Sequence, residues 1–220
     1  MYRYEFIPDI KQTKYLNQVW DILCECDKDF VPPLSYRNDT KQKDFSNIYQ
    51  KNKQLTADHN DEIVSNDGKV SEKTSEKTEG DKPTGNKPIE NEPTENKPTE
   101  YFNNMIQQHF ILAIDENDYV AGFLSFKIDY AALEEITKNI YMSTACIRKK
   151  DRGKRISGEF YEYVEYKLPE EYRRDKILTR TWSTNEKQIH IFTKRGYKPV
   201  KVLPNDRGPG IDTIYFLKQV

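Results

Sequence analysis

Of the 220 residues, 32% are charged and 35% hydrophobic, which suits one globular domain carrying something polar besides. The 35 Lys and Arg against 36 Asp and Glu leave a net charge of −1, so no bulk positive field draws in nucleic acid or an anionic membrane. No apolar run reaches the length of a membrane span, and the N-terminal MYRYEFIPD carries charges where a leader peptide needs an apolar stretch.

In chain order, Tyr2 to Ile7 reads as a strand. A helix follows from about Gln12 to Asp27, with Tyr15, Val19, Ile22, Leu23 and Cys26 on one stripe. Pro32-Pro33 ends that region, and a more polar helix is expected from Thr40 to Lys53. Between residues 65 and 100 the only aliphatic side chains are Val70 and Ile89. Lys82-Pro-Thr-Gly-Asn begins four copies of a five-residue unit there, with a proline in each. Such a segment removes backbone donors and buries too little to offset its ordering entropy, so an extended, disordered insertion in one domain spanning 1–220 is expected. Next, His109 to Ile114 and Tyr119 to Tyr130 flank the polar turn Asp115 to Asp118 as a hairpin. Ile140 to Ile147 reads as a strand. Lys154 to Lys167 reads as a helix, with Ile156, Phe160, Val164 and Leu168 in register. Ile177 to Trp182 is a strand, and Asn185 to Lys194 a helix ended by Gly196. Lys198 to Leu203 and Ile211 to Leu217 close the chain as strands. This order predicts a mixed-sheet α/β (α+β) domain with crossover helices late in the chain.

The chemistry concentrates after Ile147. Arg148-Lys-Lys-Asp-Arg-Gly-Lys-Arg-Ile-Ser157 is a basic, glycine-containing turn between a strand and an amphipathic helix. Unpaired backbone N–H groups, the helix dipole and several cations converge there, which suits a phosphate or pyrophosphate. Neither GxxxxGK[ST] nor GxGxxG is present, so the turn is not a Walker loop or a dinucleotide fingerprint. A solvated basic helix start is the plain alternative. Cys24, Cys26 and Cys146 are too few for a disulfide framework and read as buried small hydrophobes. No metal-ligand spacing occurs.

Two motifs in order resemble the GNAT superfamily of acyl-CoA N-acyltransferases. The family's pyrophosphate turn, Arg/Gln-x-x-Gly-x-Gly/Ala, stands here as Arg152-Gly-Lys-Arg-Ile-Ser157. Its later signature, Asn-x-x-Ala-x-x-x-Tyr-x-Lys-x-Gly-Phe, aligns without gaps with Asn185, Gln188, Phe192, Lys194, Gly196 and Tyr197. The resemblance implies a mostly antiparallel sheet with a central splayed parallel pair flanked by helices. It also implies acetyl-CoA as co-substrate, without a metal. The pantetheine arm would lie along Ala145, Cys146 and Ile147. The amides of Gly153, Lys154, Arg155, Ile156 and Ser157 would hold the pyrophosphate, with charge from Arg152, Lys154 and Arg155. Asn185 would contact the pantetheine, Phe192 would pack on the thioester, and Lys194 would approach the nucleotide. Arg155 replaces a family glycine, which is tolerable if its backbone stays helical.

Phe192 also stands where many members have a tyrosine acid, and the Ile140 strand has no counterpart of the glutamate base found in some. His190, Tyr197 and Tyr141 are therefore the candidates for proton transfer, each against a plain packing or surface role. Tyr36, Arg37, Arg180 and Trp182 are candidates for the acceptor side, with Arg207 behind them. Arg37, held by two prolines, suits a carboxylate or phosphate on the acceptor. The expected function is direct transfer of acetyl from acetyl-CoA to a primary amine of a small molecule or peptide. The alternative is a silent acyl-CoA-binding sensor or docking module. The expected protein is cytoplasmic, binds neither nucleic acid nor membrane, and is compatible with a homodimer.

Overall fold

The structure, a computed structural model, describes residues 1–37 and 97–220. The helix expected at Thr40 to Lys53 and nearly all of the repeat segment lie outside the described residues. The elements are β1 (Arg3–Ile7), α1 (Leu16–Cys26), α2 (Thr99–Met105), β2 (His109–Ile114), β3 (Val120–Ile128), β4 (Ile140–Ile147), α3 (Ile156–Glu162), β5 (Lys176–Trp182), α4 (Glu186–Lys194), β6 (Lys198–Leu203) and β7 (Thr213–Gln219). A π-helical turn, Tyr163–Lys167, continues α3.

Among the described residues the strands form one seven-stranded sheet in the order β1-β2-β3-β4-β5-β7-β6. Every neighbouring pair is antiparallel except β4 and β5. Period-2 alternation sends apolar residues to both faces. Val19, Ile22 and Leu23 of α1 meet Phe110, Leu112 and Phe123 on one face. Ile156 and Phe160 of α3 and Phe192 of α4 meet Leu124, Phe126 and Met142 on the other. The stripe expected on the first helix is the one it buries.

Several boundaries differ from expectation for local reasons. The first helix begins at Leu16, because Ile10–Gln12 forms a separate 3₁₀ turn capped by Asp9, and Thr13 is extended. The polar segment ends earlier than expected, since Thr99 and Glu100 open α2 just after Pro98. That fits proline's tolerance at a helix start. β3 stops at Ile128 because Asp129 turns left-handed, at φ 52°. β7 begins at Thr213 rather than Ile211.

One buried ionic knot ties the late elements together. Glu165, in the π-helical turn, has a side chain 1% exposed. It accepts from Arg195 Nε at 3.0 Å and Nη2 at 2.8 Å, and from the Tyr197 hydroxyl at 3.2 Å. Lys218 Nζ of β7 lies 2.8 Å from its Oε2. Removing Glu165 strands two part-buried cations, where breaking a buried pair typically costs about 3–5 kcal/mol. Glu165→Ala should therefore lower the urea midpoint by an amount equivalent to about 3 kcal/mol, with an unchanged m-value. A loss below about 1 kcal/mol would mean the cations find water instead.

Candidate functional site

The site starts where the parallel pair ends. β4 and β5 pair only through Ile140↔Ile177, Tyr141↔Leu178 and Met142↔Thr179. Beyond that point β4 continues to Ile147 and β5 to Trp182 without pairing. The register of β3 against β4 slips between Ser125 and Phe126, so Ser143 is the extra residue of a bulge one step past the last parallel pair. A bulge bends its strand and raises the local twist, which turns β4 away from β5. The Thr179 hydroxyl donates to the Met142 carbonyl at 3.1 Å and closes the crotch. A cleft of about 730 Å³ opens there, with Ser143 to Ile147 on one wall and Thr179 to Trp182 on the other. Past the crotch, the backbone groups of β4 that face β5 have no strand partner.

At the mouth of the cleft lies the basic turn. Gly153 (φ 81°) and Arg155 (φ 63°) are both left-handed, and α3 begins directly after them with no side-chain cap. Its first-turn N–H groups therefore lack intrahelical acceptors. This corrects the expectation of a helical Arg155: the position is left-handed, the conformation that glycine adopts freely. The turn is pinned from beneath by Asp151, which is buried. Its carboxylate accepts from Tyr2 at 2.8 Å, Tyr119 at 3.2 Å and Lys154 Nζ at 2.7 Å. Burial alone would push the Asp151 pKa up, but Lys154 and the two hydroxyls outweigh it and hold it below 3.8. Arg152 donates to the Ile147 carbonyl at 3.1 Å and to Asp29 Oδ2 at 2.5 Å.

Of the residues expected along the cofactor, Ala145, Cys146, Ile147, Arg152, Gly153, Arg155, Ile156, Ser157, Asn185 and Phe192 line this cleft. Lys154 instead pairs with Asp151, and Lys194 lies outside the lining. Asn185 caps α4 by accepting from Gln188 N at 3.3 Å, and its Nδ2 donates to Thr181 Oγ1 at 3.1 Å. Phe192 stacks between Tyr161, Tyr197 and Phe216 at centroid distances of 5.6, 5.3 and 5.5 Å.

The three proton-transfer candidates do not come together. His190 is exposed on α4 outside the lining, and Tyr197 is buried against Glu165. Tyr141 packs with Leu133, Leu178 and Tyr215 on the opposite face of β4 from Met142, where burial pushes its pKa to about 12. On the acceptor side Arg180 and Trp182 line the cleft, Tyr36 is exposed, and Arg37 donates to the Val31 and Pro32 carbonyls. Sequence reasoning missed Asp29, Phe30, Ser143, Thr144 and Tyr161, all in the lining, and gave no role to Gln188, which also lines it. The strand-period pattern held a signal for Ser143 and Thr144, which interrupt an apolar strand with small polar residues. Among the described residues no His, Cys, Asp and Glu cluster could hold a metal, and no helix is long and apolar enough to cross a membrane.

No protein-family model and no curated protein sequence matches the chain. Solved structures do. A structure from Acinetobacter baylyi, provisionally assigned as an acetyltransferase, is 13% identical, and the match covers 100% of this chain and 94% of that one with a TM-score of 0.56. An aminoglycoside 6'-N-acetyltransferase complexed with coenzyme A is 17% identical over 56% of this chain and 79% of that one, with a TM-score of 0.44. Arabidopsis thaliana NAA60 in complex with a bisubstrate analogue is 16% identical over 55% of this chain and 82% of that one, with a TM-score of 0.45. With its central parallel pair, parted strands and full-length likeness to the Acinetobacter structure, the chain has a GNAT-like fold.

Two outcomes test this geometry. The Asp151 pKa is depressed in the folded state, so its contribution to stability is present above 3.8 and is lost as pH falls below that value. Asp151→Asn should therefore melt well below the parent at neutral pH and converge with it on acidification. Arg155→Gly removes the left-handed strain of a side-chain-bearing residue, about 1 kcal/mol, and should raise the melting temperature; Arg155→Ala should not.

Proposed function

We propose that the protein is an N-acetyltransferase that moves acetyl from acetyl-CoA directly to a primary amine in a ternary complex. The observation that carries this reading is the parted β4–β5 pair with the left-handed basic turn at its mouth. An extended thiol arm fits along the unpaired edge of β4, and a pyrophosphate fits the free N–H groups of Gly153 to Ser157. Arg155 supplies positive charge beside them, while Arg152 and Lys154 are held by Asp29 and Asp151. Ser157 leaves room where a larger side chain would crowd the phosphates, and Phe192 provides an apolar surface for the thioester.

In this reading the amine attacks the thioester carbonyl from the side of Arg180 and Trp182. The C–N bond forms, the C–S bond breaks, and the thiolate leaves with the electron pair. A backbone N–H of β4 near the bulge stabilises the developing oxyanion, where a fixed donor contributes most. Holding the amine against the carbonyl supplies the larger share of the rate. With His190, Tyr141 and Tyr197 outside the lining, the proton shed by nitrogen goes to water. The rate should then follow the acceptor's own ionisation: log kcat/KM rises with pH to the amine pKa, and His190→Ala should leave kcat/KM unchanged. A large loss of kcat/KM in His190→Ala would restore His190 to the reaction.

The first experiment is thermal unfolding with acetyl-CoA, CoA and ATP, each at about 100 times a micromolar dissociation constant. A ligand specific to the folded state adds about 2.7 kcal/mol, a shift of a few degrees. Both CoA species should shift the protein and ATP should not, and Ser157→Trp should abolish the shift without lowering the ligand-free melting temperature. Binding without thiol release across a broad amine panel would point to an acyl-CoA-binding module, a reading that Phe192 in place of an acidic phenol favours.

A further inference from the structure

We infer that the acceptor amine carries an oxyanion, bound by Arg180 with Arg37 and Arg207 behind it. The inference rests on the acetyltransferase reading for the identity of the acceptor, but the anion site itself stands on separate observations. Phe30 and Trp182 line the acceptor side of the cleft with ring centroids 6.0 Å apart. The Arg37 guanidinium lies over Phe30 at 5.1 Å, and that of Arg207 over Trp182 at 5.6 Å. Both donate to one carbonyl oxygen, that of Val31, Arg37 through Nη2 at 3.1 Å and Arg207 through Nη1 at 2.6 Å. Their nitrogens are therefore no further apart than those two bonds laid end to end. Arg180 lines the cleft beside Trp182 and donates to the Tyr215 hydroxyl at 3.2 Å.

None of the three has a carboxylate within ion-pairing distance among the described residues. Arg3, Arg148, Arg152, Arg174 and Arg195, by contrast, each pair with Asp or Glu. The neighbouring carboxylate, Asp206, accepts from the Thr213 hydroxyl at 2.6 Å instead. The other titratable groups facing the cluster are Tyr101, Tyr141, Tyr215, Cys146 and Lys127, none of which is an acid that ionises at neutral pH. Lys127 adds a further cation.

Buried charges are ordinarily paired, and Arg207 is only 9% exposed. Its remaining partners are neutral: Thr213 Oγ1 at 2.9 Å and the Val31 carbonyl. Burial, followed by repulsion from Arg37 and Arg180, draws the Arg207 pKa down to about 10. Burial likewise lowers that of Arg37. An incoming anion relieves this repulsion, so its binding is favoured by the field of all three. A guanidinium has five N–H donors in a planar fork, and Arg180 commits one of them to Tyr215. The rest suit the two oxygens of a carboxylate or phosphate. Arg180 is thus the contact residue, and Arg37 and Arg207 set the field behind the aromatic pair. A cationic acceptor such as a polyamine meets the same field as repulsion.

The test uses the full chain saturated with CoA, so that the basic turn is already occupied. 4-Aminobutyrate and O-phosphoethanolamine are titrated against their neutral counterparts 4-aminobutanamide and ethanolamine, with putrescine as the cation. Binding is read by thermal shift and, with acetyl-CoA, kcat/KM by thiol release. The oxyanionic amines should bind about tenfold or more tighter than their neutral counterparts, with putrescine weakest. Arg180→Gln should cut that ratio about tenfold, while Arg180→Lys should retain part of it. Whichever of the two acids binds tighter identifies the oxyanion as carboxylate or phosphate. Equal or tighter binding of the neutral amines, no binding of either acid, or an unchanged ratio in Arg180→Gln would each overturn the inference. Acetyl-CoA binding and thiol release with neutral amines would persist in that case. Oxyanion binding without any acetyl-CoA shift would instead retain the anion site and discard the acetyltransferase reading.

Discussion

The site depends on a parallel pair that is only three residues long. Had β4 and β5 stayed paired beyond Met142 and Thr179, the ladder would have satisfied the inner edges of both strands and left no cleft. The Ser143 bulge prevents this, and what it leaves is an edge of unpaired backbone groups inside a sheet rather than at its margin. Sheet edges are usually a liability because another strand can add to them. Here the edge lies between the two walls of the cleft. Gly122 contributes on the far side. A Cβ at that position would come within 2.7 Å of the Cys146 carbonyl, so the glycine lets β3 approach the cleft-bearing strand closely.

The turn that follows β4 has to hold two left-handed residues within three positions without a capping side chain. Its stability comes from outside itself. Asp151 reaches to Tyr2 beside β1 and to Tyr119 at the start of the β3 hairpin, so both ends of the sheet's first half hold the turn. Arg152 is fixed from above by Asp29, which follows α1. The turn is thereby held by contacts outside itself, and under the acetyltransferase reading this lowers the ordering cost of binding.

Most of the architecture was legible because strand and helix periods differ. Alternating apolar residues mark the strands, and the stripe on α1 and the register of Ile156, Phe160 and Val164 mark the helices that cover them. The basic turn was legible from its charge and glycine. What escaped has no periodic signature. α2 opens inside the last Pro-Thr-Glu repeat and has a single buried residue, Met105. The bulge at Ser143 adds one residue to a strand that otherwise alternates normally. Left-handed Arg155 was read as helical because arginine rarely adopts that conformation. Tyr141 and Tyr197 looked reactive by type. Strand parity turns Tyr141 away from Met142, and Glu165 captures Tyr197. Only three-dimensional packing supplies the second fact.

Charge pairing divides the cleft into two different ends. At the basic turn Arg148, Arg152 and Lys154 are already matched by Glu25, Asp29 and Asp151. Under the acetyltransferase reading, what remains to attract a pyrophosphate there is mainly backbone N–H and Arg155, a positionally strict but weakly charged site. At the other end Arg37, Arg180 and Arg207 have no carboxylate partner among the described residues, and the field of the largely buried Arg37 and Arg207 behind the exposed Arg180 is less screened by water than that of an exposed cation. A net charge of −1 conceals this asymmetry, because it sums the acids and bases of the whole chain. Geometry therefore governs recognition at the turn, and charge governs it across the aromatic pair. Under the proposed reading, an acceptor that satisfies the three arginines is drawn in by its oxyanion, which leaves its amine as the end free to face the thioester.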